Sequence, residues 1–372
     1  MKIRSVWFST AGVAALLVGA VALPAHAAQR VANSVKGQST VHGSSESVQP
    51  FQHIYVIMME NEGAQQILGN VNMPYVNELA QRDGYESNYF GVTHDSLANY
   101  VALLSGSNWG TNSDDPSQTF DHTNLVDQLE AHHLTWKGYM ESIPYAGYTG
   151  YWDNNATSLS TPTGALYANK HDPFVLMTDI LDNQKRLQNV VPLTQLQQDL
   201  QNNRVPNFAF ISPNLINDMH GTPPYKETDA ELAKDGDQTI QRLVQEITSS
   251  KSWKTSKSVI YITWDEAEYP PYGTVPDKAT MDIFTAPGPD APILPKGVTV
   301  DNGYTWTGGP YGGGQVPMII VDNAAVGPFK VNTWADHYSL LRTIEQNWNL
   351  GYLGNASDSE QVKTIAIPGE PK

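Results

Sequence analysis

The chain contains no cysteine among its 372 residues. That excludes disulfide staples and thiolate-ligated zinc, and leaves stability to a packed core. Charge is scarce too: charged residues make up 16%, below the roughly 25% usual in globular domains. Basic residues are the scarcer kind, with 22 Lys and Arg against 38 Asp and Glu and a net charge of −16. Nucleic acid and anionic lipid would both repel such a chain, so neither nucleic-acid binding nor stable membrane association is expected. Several catalytic signatures are also missing. There is no Gly-x-Ser-x-Gly elbow and no His-Glu-x-x-His, and Gly312-Gly313-Gly314 lacks the Lys and helix of a phosphate-binding loop.

What is present begins with an apolar leader. Lys2 and Arg4 precede an apolar run from Ala11 to Leu23, followed by the small-residue cleavage pattern Ala25-His26-Ala27. Residues 1–27 are therefore expected to be a signal peptide, and the mature chain to be exported, either secreted or periplasmic. No Cys follows the apolar run, so a lipid anchor is not expected. Cleavage would take the net charge from −16 to −18. Residues 28–50, rich in Ser, Gln and Val without periodicity, read as a flexible leader. Residues 51–355 are long enough for one large domain, and 356–372 read as a C-terminal tail. Nothing in the pattern fixes an oligomeric state.

Within 51–355, strand and helix patterns alternate. His53–Met59 is an apolar run that ends abruptly in Glu60-Asn61, and Ser258–Trp264 ends the same way in Asp265-Glu266. Both read as buried parallel strands with oxygen donors at their C-terminal tips, the edge where open α/β sheets carry chemistry. Met73–Arg82 with Pro74 in its first turn, Ser96–Ser105 closed by Gly106, Asn124–Leu134, the Ile240/Leu243/Val244/Ile247 stripe and the segment with Leu340, Leu341 and Ile344 read as helices. Residues 142–170, with five Tyr or Trp, read as a long irregular loop. The alternation predicts a three-layer α/β/α sandwich with a largely parallel central sheet.

Glu60, Asn61, Asp265 and Glu266 are candidates for one metal site, because clustered carboxylates repel unless a cation joins them. Ordinary turn chemistry is the alternative for each. Oxygen donors favour Mg²⁺, Ca²⁺ or Mn²⁺ over Zn²⁺. Ser96 begins a predicted helix, where an N-cap is the simplest role. A hydroxyl beside a divalent metal and a helix N-terminus is also suited to attack on phosphorus. Among the ten His, His220 follows a strand end and so lies on the functional edge, and His171 stands at the exit from the aromatic loop, which makes these two the leading candidates. His337, at the start of the last helix, reads as a surface or capping residue.

These blocks together resemble the bacterial and fungal phosphoesterase family of acid phosphatases and phospholipases C. The resemblance rests on Tyr55-Val56-Ile57-Met58-Met59-Glu60-Asn61, His94-x-Ser96-x-x-Asn99-Tyr100, Trp136-Lys137-Gly138-Tyr139-Met140-Glu141 and Lys170-His171-Asp172-Pro173-Phe174. It continues through Pro206-Asn207-Phe208, Asn217-Asp218-Met219-His220, Thr263-Trp264-Asp265-Glu266 and Asp336-His337-Tyr338-Ser339-Leu340. The histidine-bearing blocks look more like the acid phosphatase branch. The resemblance implies an alkaline-phosphatase-like fold and hydrolysis of small phosphomonoesters through a phosphoserine at Ser96. It also implies metal ligation by Glu60, Asn61, Ser96, Asp265 and Glu266, with His171 and His220 as catalytic residues. Asp95 and Ala98 stand where the family usually has Pro. A His common before Val316-Pro317 is absent, which argues against a second metal site. A phospholipase C-type diesterase and a non-catalytic secreted binding protein on the same fold are the competing expectations.

Overall fold

The computed structural model describes residues 51–222, 228–268, 277–300, 303–325 and 327–367, together with the backbone of 39–41. The expected signal peptide, most of the expected leader, part of the Gly/Pro-rich segment after Glu268 and the last five residues lie outside the described residues.

The apolar runs form the middle of a nine-stranded sheet. Its strands are β1 (Ser39–Val41), β2 (His53–Met59), β3 (Gly84–Glu86), β5 (Trp136–Met140), β6 (Val190–Pro192), β7 (Phe208–Ser212), β8 (Ser258–Trp264), β11 (Met318–Asp322) and β12 (Phe329–Val331). Two small ribbons lie outside it, β4 (Tyr89–Phe90) with β13 (Ala335–Asp336) and β9 (Ile293–Leu294) with β10 (Gly309–Pro310). The sheet order is β1-β12-β3-β11-β8-β2-β7-β5-β6. Only β11 runs against its neighbours, so the largely parallel α/β architecture is as expected.

The central strands explain why their sequences do not alternate. Every residue of β8, and all of β2 after His53, is buried, because helices cover both faces. Register then fixes the site. Met59 pairs with Trp264 and Ile57 with Ile211, so β8, β2 and β7 end side by side and release their next residues at one edge. The start of β11 arrives at the same edge because it is antiparallel.

The helix Ser96–Ser105 is buried at all ten positions, its apolar residues in the core and its Ser96, Asn99 and Tyr100 side chains on buried polar partners. It packs against the last helix, His337–Trp348, and against the turn Asn169–His171. Gly106, at φ 77°, ends it in the left-handed region, where a Cβ would meet the Leu353 carbonyl at 2.4 Å. The chain after the last helix is not loose. Ile365 and Ile367 are buried in the main core, and Ile365 N–H donates to Thr343 Oγ1 at 2.8 Å. Within the aromatic loop, Tyr148, Trp152 and Tyr167 point inward and are buried while Tyr145 stays exposed. No helix among the described residues is long and apolar enough to cross a membrane.

Candidate active site

Glu60 and Asn61 leave β2 in a turn made possible by Asn61, which sits at φ 66°, a conformation Asn tolerates better than most residues. That turn aims Asn61 N–H back across the sheet edge to Asp265 Oδ1 at 2.9 Å. Asp265 and Glu266 leave β8 beside it. Gly91 makes the close approach possible. A Cβ there would stand 2.7 Å from the Asp265 carbonyl oxygen and 3.1 Å from Glu266 Cα, both backbone atoms.

Ser96 is the first helical residue rather than the cap. Asp95 occupies the cap position without a side-chain capping hydrogen bond. The Leu97 N–H is instead taken by Asp114 Oδ1 at 3.0 Å, so that donor is not free for an anion. Ser96 Oγ is buried and lies 3.0 Å from Glu60 Oε2 and 3.1 Å from Glu266 Oε1. Tyr100, one turn on along the same helix, donates its hydroxyl to Glu60 Oε1.

The histidines close around these acids. His171 is sandwiched between Glu60 and Asp218, with Nε2 at 3.3 Å from Glu60 Oε2 and Nδ1 at 3.3 Å from Asp218 Oδ2. Its ring stacks on Tyr100 with centroids 5.3 Å apart. His220 Nδ1 faces the Gly221 carbonyl at 2.8 Å, so it carries the proton, and the bare Nε2 faces Lys170 Nζ at 3.3 Å. Between Asp218 and His220, Met219 is held at φ 90°, a strained backbone that persists at functional sites when the surroundings enforce it. Ligand atoms of Glu60, His171 and His220 all lie within 4.8 Å of one another.

Burial and crowding set the electrostatics. The Glu60 carboxyl is pushed well above its usual range by burial first and then by Asp265 and Asp218. Asp218 is raised in the same way, and burial lifts Asp265 to about 6. His171 is held well below its ordinary value by burial, Lys170 and His220. Burial and Lys170 bring His220 down to about 4. Neither histidine is therefore a standing cation for phosphate recognition. Lys170 brings a cation to the site, kept charged above its ordinary range because its pairing with Asp114 outweighs the cost of burial.

All seven sequence-predicted residues thus meet at one edge: Glu60, Asn61, Ser96, Asp265, Glu266, His171 and His220. Five contributors were missed, Tyr100 among them. His94 Nδ1 contacts Glu266 Oε2 while its Nε2–H donates to the Phe284 carbonyl at 2.9 Å. Asp218, Lys170 and Asp114 are the others. The expectation for His337 is corrected. It is fully buried, its Nε2–H donates to the Asp265 carbonyl at 2.6 Å, and its Nδ1 accepts from Tyr89 at 2.9 Å. Burial lowers it to about 4, so it is a neutral prop under the Asp265 turn.

The donor set fits a divalent cation. Asp265 Oδ2 is buried without a hydrogen-bond partner among the described residues, Asp218 Oδ2 has the His171 Nδ1 contact at 3.3 Å, and both lie among carboxylates that a cation would join.

The model of the Phosphoesterase family matches residues 70–351. A probable acid phosphatase from Kluyveromyces lactis is 25% identical over 377 residues, covering 96% of this chain and 76% of that one. A phosphatidylinositol-3-phosphatase from Mycobacterium tuberculosis is 25% identical over 341 residues, covering 91% of each. Among solved structures, an alkaline phosphatase superfamily protein from Vibrio parahaemolyticus is 12% identical, with a TM-score of 0.45 over 82% of this chain and 68% of that one. The chain belongs to the Phosphoesterase family and is a hydrolase acting on phosphate esters.

Proposed function

We propose that the protein is an exported, divalent-metal-dependent acid phosphatase that hydrolyses small phosphomonoesters through a phosphoserine at Ser96. The observation that carries this reading is the placing of Ser96 Oγ between two buried carboxylates, 3.0 Å from Glu60 and 3.1 Å from Glu266. One hydroxyl proton serves one of them at a time, and the remaining oxygen–oxygen contact asks for a cation.

Glu60, Asn61, Ser96, Asp265 and Glu266 would hold that cation. His171, clustered with Glu60, adds a nitrogen donor to the set through Nε2, which faces Glu60 Oε2. The oxygen ligands alone favour Mg²⁺, Ca²⁺ or Mn²⁺, whereas imidazole widens the choice toward Zn²⁺ and other transition metals. When bound, the cation would supply Lewis acidity, easing loss of the serine proton and offsetting phosphate charge.

The chain's own groups account for the proton movements. Glu60 or Glu266 takes the Ser96 proton as Oγ attacks phosphorus, and the bond to the leaving oxygen breaks. His171, between Glu60 and Asp218, is placed to pass a proton to that oxygen. His220 is less suited, since Nδ1–H is committed to Gly221 and Nε2 faces an ammonium. Water then attacks the phosphoserine, His171 or a carboxylate takes its proton, and Ser96 regains its own as phosphate leaves.

Preference for monoesters is supported by relatives named as phosphatases, and export by the leader read in residues 1–27. The test compares an aryl phosphomonoester with the matching diester, with and without chelator. Monoester turnover that chelator abolishes and a divalent metal restores is expected. Faster diester cleavage would favour the phospholipase C-type reading, and no turnover of either ester by metal-loaded protein would refute the proposal.

A further inference from the structure

We propose that Lys170 donates a hydrogen bond to a phosphoryl oxygen of the bound substrate. The inference rests on the phosphatase reading above and assigns the residue that binds the transferred group.

Lys170 sits in the short turn Asn169–His171 and is 6% exposed. An ammonium has three donors. One goes to Asp114 Oδ2 and a second faces His220 Nε2 at 3.3 Å. The third has no acceptor among the described residues. Buried donors are nearly always satisfied, so an open one beside a reaction centre marks a place for a ligand oxygen.

Both existing contacts lead back to the nucleophile. Asp114, through its other oxygen, accepts the N–H of Leu97 at 3.0 Å, the residue after Ser96. His220 clusters with Glu60, which accepts from Ser96 Oγ. Lys170 is therefore tied to the first turn of the serine helix on one side and to the acid cluster on the other.

Charge gives the same answer. A phosphomonoester carrying up to about two negative charges has to approach Glu60, Asp218, Asp265 and Glu266. The Leu97 N–H at the helix N-terminus is already occupied, and His220 offers only a lone pair toward the site. An ammonium oriented by Asp114 supplies the donor and the positive charge that these groups do not.

The test is direct binding of inorganic phosphate to metal-loaded protein, measured by calorimetry on wild type, Lys170→Met and Lys170→Met/Asp114→Asn. The double variant removes both charges, so it folds without a stranded carboxylate even if the single variant does not. Metal affinity is titrated in parallel on the same proteins. Loss of a charge-assisted hydrogen bond is expected to weaken phosphate binding and raise the aryl phosphate KM by about 10- to 100-fold, with metal affinity kept within about threefold. Unchanged phosphate affinity in the double variant would overturn the assignment, as would an equal loss of phosphate and metal affinity, which marks a purely structural lysine. Phosphate binding is read without turnover, so failure here is distinguishable from failure of the phosphatase reading, which would appear as absent metal-dependent hydrolysis by wild type.

Discussion

Replacing Asp265 by Asn should stabilise the metal-free protein at neutral pH while weakening its response to metal. Asp265 is fully buried, and burial lifts its carboxyl from 3.8 to about 6. At about 1.36 kcal/mol per pKa unit, the shift corresponds to about 3 kcal/mol. The folded acid binds its proton more tightly than the unfolded one. Stability is therefore greatest below the unfolded value and is lost as pH rises from about 4 through about 6. Some 2 kcal/mol of that loss should develop between pH 4 and pH 7.

Asn keeps an oxygen to accept the Asn61 N–H but puts an amide where Oδ2 has no partner, a fixed cost of about 1–2 kcal/mol. The cost is the same at every pH, so the pH-dependent part isolates the carboxylate. Urea unfolding in chelator at pH 4, 5, 6 and 7 measures it. The variant should gain about 2 kcal/mol on wild type across that range and be stabilised less by saturating divalent metal. Parallel pH dependence of the two proteins, or an undiminished metal response, would refute the argument.

Gly91→Ala should lower stability and metal affinity together, because the new methyl meets the Asp265 and Glu266 backbone and no flexible side chain can yield; unfolding and metal titrations check it. His337→Phe strands the Asp265 carbonyl and the Tyr89 hydroxyl, each hydrogen-bonded to His337 in a buried setting. It should cost about 2–4 kcal/mol and weaken metal binding, whereas a surface histidine could be replaced with neither effect.

The strands that position the site were the most legible part of the sequence. In β2 and β8, two-sided burial erases alternation, and the apolar run stops where the oxygen ligands begin. The serine helix was legible because a largely apolar run is entered at Ser96 and closed by Gly106. The antiparallel β11 was not, since a short buried run carries no mark of direction.

Lys170 and Asp114 are 56 positions apart in segments with no periodicity, and nothing local announces that they pair. His94 was hidden for a similar reason, as its partner Glu266 comes from the far half of the chain. Tyr100 carried a readable signal, four residues after Ser96 and thus on the same helix face. His337 misled because first-turn residues are usually exposed. Here the helix starts beneath the Asp265 turn, and its cap Asp336 is itself buried.

The central claim, a serine that carries the phosphoryl group, is tested most directly by acid quench. Metal-loaded protein is mixed with an aryl phosphomonoester, stopped in acid within the first turnovers, digested and mapped by mass spectrometry. A phosphorylated peptide with the modification on Ser96, absent from Ser96→Ala and from protein held in chelator, is the expected result. Label on a histidine, or a Ser96→Ala protein that keeps more than a tenth of wild-type turnover, would contradict it.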